Sequence, residues 1–524
     1  MAHAFITRGF LLVIVPLLGL GCDQADKARL NAHNIEAYHL DEHRGVNATK
    51  LCHRLNAMSA GEWGETSVVW FASAGSLSAN PDSGEPSPWL QPLRKLAADG
   101  HMSMVCIDEA HYVNQHGRDF RPEFHSALAA TREVVARSRS HVPVVAMSAT
   151  MLEEDRTSVQ DLLHRKAATL IHGPLDRFDT KFNVIFSGNP SISVFSSLAG
   201  YLKDDKKKGV SVQAVVYTNS KTNAEGSLYH SASGLCEKVR PNDGAVVDAD
   251  TLTGGDGLKR KACTMYAVTN YVKSYDPRIE IPLDKIKIIV GTEAMNAGIS
   301  SDHMKYCMYR GPPPNLYILF QTLGRVNRQL LAPPGDHVYE IHLSLDLTIS
   351  IFVRVRRQAS PQERLLQQRQ LMEVISFLVF PKKCYHSFVA SYFEHVPSLK
   401  KSKYQCCTYC RGDHKKFTGI FMKENLKKVL IREVVQKQSN KVQWKELKKI
   451  IKAHQTEIFK RDHIPPNAGP IHALILQLLC SGLAKMKLRD DSKAGSEDVS
   501  ENDVIIELSE KFLMGPDWTG FTCE

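Results

Sequence analysis

Val105–Phe124 reads VCIDEAHYVNQHGRDFRPEF, and this stretch decides the fold. A short apolar run, Met104 to Ile107, stops abruptly at two acids, Asp108 and Glu109. Buried parallel strands deliver carboxylates in this way to the carboxyl edge of an α/β sheet, where ligands bind. One such acid can hold Mg²⁺ through water while its neighbour polarises the water that attacks a nucleotide γ-phosphate. A bare Asp-Glu pair is more often the acidic start of a helix. Longer context has to separate the two readings.

That context is present. DEAH at 108–111 followed by xVxQxGxDFRPEF resembles motif II and the adjoining aromatic-rich loop of RecQ-family DNA helicases. The resemblance implies that Asp108 and Glu109 are the Mg²⁺-holding and water-activating acids. It also implies that His111, Gln115, His116, Asp119, Phe120, Arg121 and Phe124 belong to a segment coupling single-stranded DNA to ATP hydrolysis. His116 stands where the family usually has Trp, which offers more π surface for stacking.

A chain of 524 residues has room for two to four domains with real cores. Its net charge of +10 is unevenly placed: residues 351–470 hold 25 Lys and Arg against 9 Asp and Glu, leaving the remainder net acidic. A basic C-terminal region is the electrostatic footprint of a nucleic-acid face, with a solvated lysine-rich surface as the plainer alternative.

Phe10–Gly21 (FLLVIVPLLGLG), ahead of Cys22, mimics a secretory leader or lipoprotein site, but is too short to span a bilayer. The reading preferred is a buried strand, Phe10–Val15, whose continuation toward Asp23-Gln24 resembles the family's motif Ia, with a further short strand at 34–38. No GxxxxGK[ST] phosphate loop occurs in the sequence, and without that loop ATP affinity and catalysis are expected to suffer. The expectation is an incomplete or degenerate version of a longer motor, not secreted and not membrane-bound. Its compartment would be the nucleus, or the cytoplasm and nucleoid in a bacterium.

Other motifs fall at matching places. Val142–Met147 reads as a buried strand ending in Ser148-Ala149-Thr150, which resembles motif III; Ser148 and Thr150 would link nucleotide state to DNA state. After a linker near Leu170–Arg177, Val212–Tyr217 reads as a strand with Thr218-Asn219-Ser220 at its end, as in motif IV. Gly291–Ile299 resembles motif V, giving Thr292 a DNA contact and Gly298 a close backbone approach. Gln321–Arg328 (QTLGRVNR) resembles motif VI, implying that Gln321, Arg325 and Arg328 face the nucleotide, with Arg328 as the arginine finger.

Of 12 cysteines, Cys384, Cys406, Cys407 and Cys410 cluster, and four soft thiolates suit a tetrahedral Zn²⁺. Their place resembles the RecQ zinc-binding domain, although the adjacent Cys406-Cys407 pair departs from its usual spacing; His386 or His414 is an alternative ligand. Cys106, Cys263, Cys307 and Cys480 read as buried and reduced. Helices at 426–436, 444–453 and 471–481, then a strand at 503–508, suggest a winged helix, with a plain helical bundle as the competing architecture.

The expected fold is α/β: two RecA-like parallel-sheet lobes (1–170, N-terminally incomplete, and 171–350), a zinc-binding helical module (351–420) and a winged-helix domain (421–524). The family's further helicase-and-RNase D C-terminal module is not expected. The resemblance implies an ATP-dependent 3′–5′ helicase unwinding duplex DNA in recombination, repair or replication. ATP and Mg²⁺ would lie between the lobes, and single-stranded and duplex DNA would cross their top onto the basic region. The rival expectation is a nucleotide-inactive DNA-binding protein.

Overall fold

The computed structural model describes residues 9–15, 24–25, 28–29, 35–40, 46–57, 67–79, 84–115, 122–165, 168–173, 177, 180–207, 212–219, 288–291, 304–326, 336–358, 360–381, 383–393, 406–412, 420–438, 440–459, 469–496, 498–509 and 512. It forms two compact units, the first made chiefly of the residues up to Gly173 together with Tyr392 and Phe393, the second of the other described residues from Arg177 onward.

The first unit is built on a parallel sheet ordered β2-β3-β1-β4-β5, from Ile35–His39 (β2), Ser67–Ser73 (β3), Gly9–Val15 (β1), Met102–Ile107 (β4) and Val144–Ala146 (β5). β1 lies at its centre, paired with β3 and β4. The apolar run at 10–15 is therefore a core strand, as its composition suggested. Strands buried on both faces need apolar side chains at every position, which is why β1 and β3 show no alternation. Trp70 is fully buried, with Phe10 and Trp89 edge-on at 5.0 and 5.3 Å.

The second unit contains a parallel sheet ordered β6-β10-β9-β7-β8, from Thr180–Phe186 (β6), His337–Leu343 (β10), Met304–Arg310 (β9), Gln213–Thr218 (β7) and Ile288–Gly291 (β8). The same unit holds the cysteine cluster and a winged helix. In the latter, helix 420–430 precedes Lys441–Gln443 (β11), helices Trp444–Ala453 and Gly469–Cys480 follow, and Ala484–Leu488 (β12) and Val504–Leu508 (β13) complete an antiparallel sheet ordered β11-β13-β12. That sheet settles the choice against a plain helical bundle. β12, buried at alternate positions, is a strand the sequence reading did not name.

The winged helix is docked through helix Leu345–Arg356. At the helix start, Leu345 N–H donates to His472 Nδ1 (3.0 Å), while Trp444 Nε1 and Lys448 Nζ both donate to Asp346. At its end, Gly495 N–H donates to Arg356 O (2.8 Å) and Arg357 donates twice to Val499 O (2.9 and 2.7 Å). A Cβ on Gly469 would lie 2.0 Å from Phe186 O, so only glycine lets the helix it opens approach the end of β6.

Candidate active site and metal centre

Asp108 and Glu109 follow β4 directly, at the carboxyl edge of the first sheet. The turn is pinned on both sides: Asp108 N–H donates to Ile14 O (2.9 Å) and Ala110 N–H to Met147 O (2.8 Å). Glu109 has φ +49°, a left-handed conformation that costs a non-glycine residue about 1–3 kcal/mol and is retained where surroundings over-determine it. Asp108 accepts from Gln24 Nε2 at 3.0 Å and from Glu109 N–H at 3.0 Å. Burial, helped by the charge of Glu109, still holds its pKa above the ordinary carboxylate value. A cation bound there would reverse that cost. Gln24 was not assigned to the site from sequence, although the Asp23-Gln24 pair within the motif Ia resemblance marked its position.

His111 is fully buried and joins the two strand ends. Its Nδ1 lies 2.7 Å from Ser148 Oγ and 3.2 Å from Glu109 Oε2. Ser148 Oγ donates to Thr150 O (2.7 Å) and accepts Thr150 N–H (3.1 Å). With its proton committed, the serine can only accept from the imidazole, which makes Nδ1 the protonated nitrogen. Asp108, Glu109, His111, Ser148 and Thr150 are thus brought into one connected group.

His116, Phe120 and Arg121 lie outside the described residues, as does the side chain of Gln115. The flanks of that segment are held. Asn114 Nδ2 donates to Asp155 Oδ1 (3.1 Å) and Ser158 Oγ (3.0 Å), and His125 Nε2 lies 3.0 Å from Val113 O. Phe124, on helix Pro122–Ala136, is 1% exposed and packs into the core of the first unit.

In the second unit, Gln321 sits on helix Leu316–Leu323, which is buried all round, and Arg325 follows it, 9% exposed. Asn315 caps that helix by accepting Ile318 N–H at 2.9 Å. Thr292, Gly298 and Arg328 lie outside the described residues, so their expected roles have no geometry here.

The cysteines converge. The Sγ atoms of Cys384, Cys406, Cys407 and Cys410 all lie within 4.8 Å of one another. Separations of 3.5, 3.7 and 3.8 Å for three pairs compare with about 3.8 Å between ligands of a tetrahedral ion with ~2.3 Å Zn–S bonds. Hydrogen bonds from neighbouring thiols drive Cys384 toward thiolate, while burial among them pushes Cys410 up to about 12. Four soft donors in this arrangement fit Zn²⁺ without a histidine. His386 instead faces Phe182 edge-on at 6.2 Å, and His414 lies outside the described residues. Cys106 and Cys307 are buried as expected, Cys480 is partly exposed, and Cys263 is not among the described residues.

The knuckle is stitched to the second sheet. Phe182 N–H donates to Cys406 O (2.9 Å), Thr408 N–H to Phe182 O (3.0 Å), and Val184 N–H to Thr408 Oγ1 (2.9 Å). Cys407 thereby pairs in parallel with β6, the edge strand.

Two parallel sheets, a DEAH turn bonded to a Ser-Ala-Thr turn and a knuckle of four cysteines are thus the features that the comparisons can be set against. In sequence the chain is similar to curated RecQ-type helicases. It is 22% identical over 430 residues to the ATP-dependent DNA helicase RecQ of Pasteurella multocida, covering 82% of this chain and 58% of that protein. Over 452 residues it is 20% identical to the Bacillus subtilis RecQ, covering 84% and 65%. Over 327 residues it is 22% identical to the ATP-dependent DNA helicase Q-like 2 of Arabidopsis thaliana, covering 62% and 40%. The chain thus spans roughly half the length of the first curated relatives it matches, at 58%, 40% and 56%. No family model matches. Among solved structures, the Mycobacterium smegmatis helicase Lhr bound to ssDNA and AMP-PNP is similar at 13% identity and a TM-score of 0.41, covering 71% of this chain and 46% of that one. Among the described residues, no helix is long and apolar enough to cross a membrane.

Proposed function

We propose that this chain is the motor portion of an ATP-dependent DNA helicase of the RecQ type, moving 3′ to 5′ along single-stranded DNA and unwinding duplexes in a nuclear or nucleoid setting. The observation that carries the reading is the His111 Nδ1–Ser148 Oγ hydrogen bond, which ties the acid-bearing turn to the Ser-Ala-Thr turn. Asp108 would hold Mg²⁺ through water, oriented by Gln24 and the Glu109 amide. The metal would neutralise phosphate charge, and Glu109 would take the proton of the attacking water. Arg325 and Arg328 would answer charge developing on the γ-phosphate. Residues 116–121 and Thr292 would meet DNA, and the four cysteines would hold structural Zn²⁺. The domain limits we propose are 1–170, 171–350, 351–420 and 421–524.

ATP hydrolysis measured with and without single-stranded DNA tests this reading. Stimulated turnover that disappears in Asp108→Ala is expected; turnover equal to that variant under all conditions would overturn it. A second reading, a DNA-binding protein without nucleotide turnover, is favoured by one observation: the 524 residues contain no GxxxxGK[ST] sequence. DNA binding with unstimulated hydrolysis is its signature.

A further inference from the structure

The first sheet is open along one side. β5 stands last in the order β2-β3-β1-β4-β5, and among the described residues nothing pairs with its outer edge. Its inner edge is occupied. Pro143 O accepts Val105 N–H (3.0 Å), Met147 N–H donates to Ile107 O (2.8 Å), and Met147 O accepts Ala110 N–H (2.8 Å). In a parallel ladder the groups that bond to one neighbour belong to alternate residues. Pro143, Val145 and Met147 therefore face β4, and the N–H and C=O groups of Val144 and Ala146 point outward. Pro143 does not blunt that outer edge, because its missing donor is turned toward β4.

Burial follows the same line. β3 is buried at every position and β1 at all but its first, whereas Val144 and Val145 are half-buried and Ala146 is exposed. Met147, just beyond, is 43% exposed. No Lys, Arg, Asp or Glu occurs from Ser140 to Leu152. Edges left in water are ordinarily blunted by charge, by a bulge or by cover. On the opposite edge strand, β2, Arg29 Nε donates to Ala37 O (2.8 Å). The β5 edge, apolar and uncharged with outward main-chain groups, is of the kind that accepts an added strand.

The neighbouring strand indicates what fills it. β4 leads into Asp108 and Glu109, which act only with a phosphate opposite them, and the 524 residues contain no GxxxxGK[ST] sequence. Such a loop is carried at the carboxyl end of a strand. A parallel strand added to β5 would end at the same edge as β4, two strand spacings or roughly 10 Å from it. We propose that the outer edge of β5 seats a parallel strand whose following loop binds phosphate, supplied by polypeptide outside these 524 residues. Val144 and Ala146 provide its main-chain bonds, and Val144, Val145 and Met147 its apolar contact. The inference rests on the proposed nucleotide-driven function and adds the surface on which the phosphate-holding part docks.

The probe is a synthetic peptide, a run of valines and isoleucines followed by a GxxxxGKS loop, with a fluorophore and a lysine tail for solubility. Added to the full chain, it should bind saturably by anisotropy, slow hydrogen exchange at Val144 and Ala146, and raise affinity for a fluorescent ATP analogue. Ala146→Pro removes the outward amide and none of the bonds to β4. Matched to the parent by circular dichroism and melting, that variant should bind the peptide about 10-fold more weakly. No binding by the parent, or equal binding by the folded variant, overturns the edge as the seat. A parent dimer in light scattering that Ala146→Pro dissociates assigns the edge to a second copy and rejects the phosphate-loop strand. Stimulated ATP turnover that the peptide leaves unchanged overturns the inference and leaves the proposed function standing. Bound peptide and raised ATP affinity, with turnover no higher than in Asp108→Ala, overturns the function and leaves the docking edge standing.

Discussion

His111 Nδ1 and Ser148 Oγ, 37 positions apart in sequence, lie 2.7 Å apart and join the ends of two neighbouring strands. Because Ser148 donates its own proton to Thr150 O, the pair works in one direction: imidazole gives and serine receives. Ser148→Ala and His111→Asn should each leave the melting temperature within a few degrees. On the proposed function, each should lower DNA-stimulated ATP turnover by roughly 10-fold, the worth of a hydrogen bond of about 1.4 kcal/mol. Residues acting as one unit give non-additive losses, so the double variant should fall no further than the worse single one. Steady-state kinetics on the three variants decides it; multiplying losses would mean the residues act separately.

Gly469 offers a test of the winged-helix dock. An added methyl would collide with Phe186 backbone, which cannot rotate away as a side chain would. Gly469→Ala should destabilise the second unit by about 1–3 kcal/mol. Gly173→Ala, where nothing lies within 4 Å, is the control and should be neutral. Denaturant midpoints measure both, and equal midpoints would refute the close approach.

His472 makes the same dock sensitive to acid. Burial lowers its pKa from 6.5 to about 4, with Lys448 acting in the same direction and Asp346 opposing. Between those values the unfolded chain takes up a proton that the folded chain refuses, so stability is lost as pH falls through that window. The loss reaches about 3 kcal/mol at its lower end. Denaturation at pH 4 to 7 should show this slope in the parent and a shallower one in His472→Gln. Identical slopes would remove His472 as the cause.

The metal centre predicts a stoichiometry. The purified chain should retain one zinc per molecule by atomic absorption, and Cys384→Ser or Cys407→Ser should lose it, whereas His386→Ala should not. Zinc retained by the cysteine variants would reject the four-thiol set.

What the sequence disclosed follows from how each strand is buried. β1, β3, β4 and β7 lie within sheets covered on both faces, so their composition is almost wholly apolar and stands out against the flanking loops. β9 and β10 are buried as completely, yet carry Lys305 in one and His337, Glu340 and His342 in the other. Those polar groups are tolerated because partners meet them. Lys305 pairs with Asp205 (2.8 Å) and Asp336 (3.1 Å), and His342 lies 2.7 Å from Glu340 and 2.8 Å from Ser193. Asn183 and Tyr201 each donate to Glu340 at 3.1 Å. Asp205, Ser193 and Asn183 lie 100 or more positions away, so periodicity could not reveal that these strands are core. The motif residues were legible for the opposite reason: the chemistry constrains their identity locally. The burial of Phe124 was not legible, since an aromatic in a motif and an aromatic in a core read alike until the packing is known.

The pairing of Cys407 with Phe182 gives the cysteine knuckle a second task. An edge strand with free amides and carbonyls is a template for another chain, and a parallel sheet assembles slowly enough to expose it. With Cys406–Thr408 laid along β6, part of that edge is occupied by the protein's own backbone. The four thiols that read as a metal site thus also sit where they cover part of an edge that could otherwise pair with a second chain.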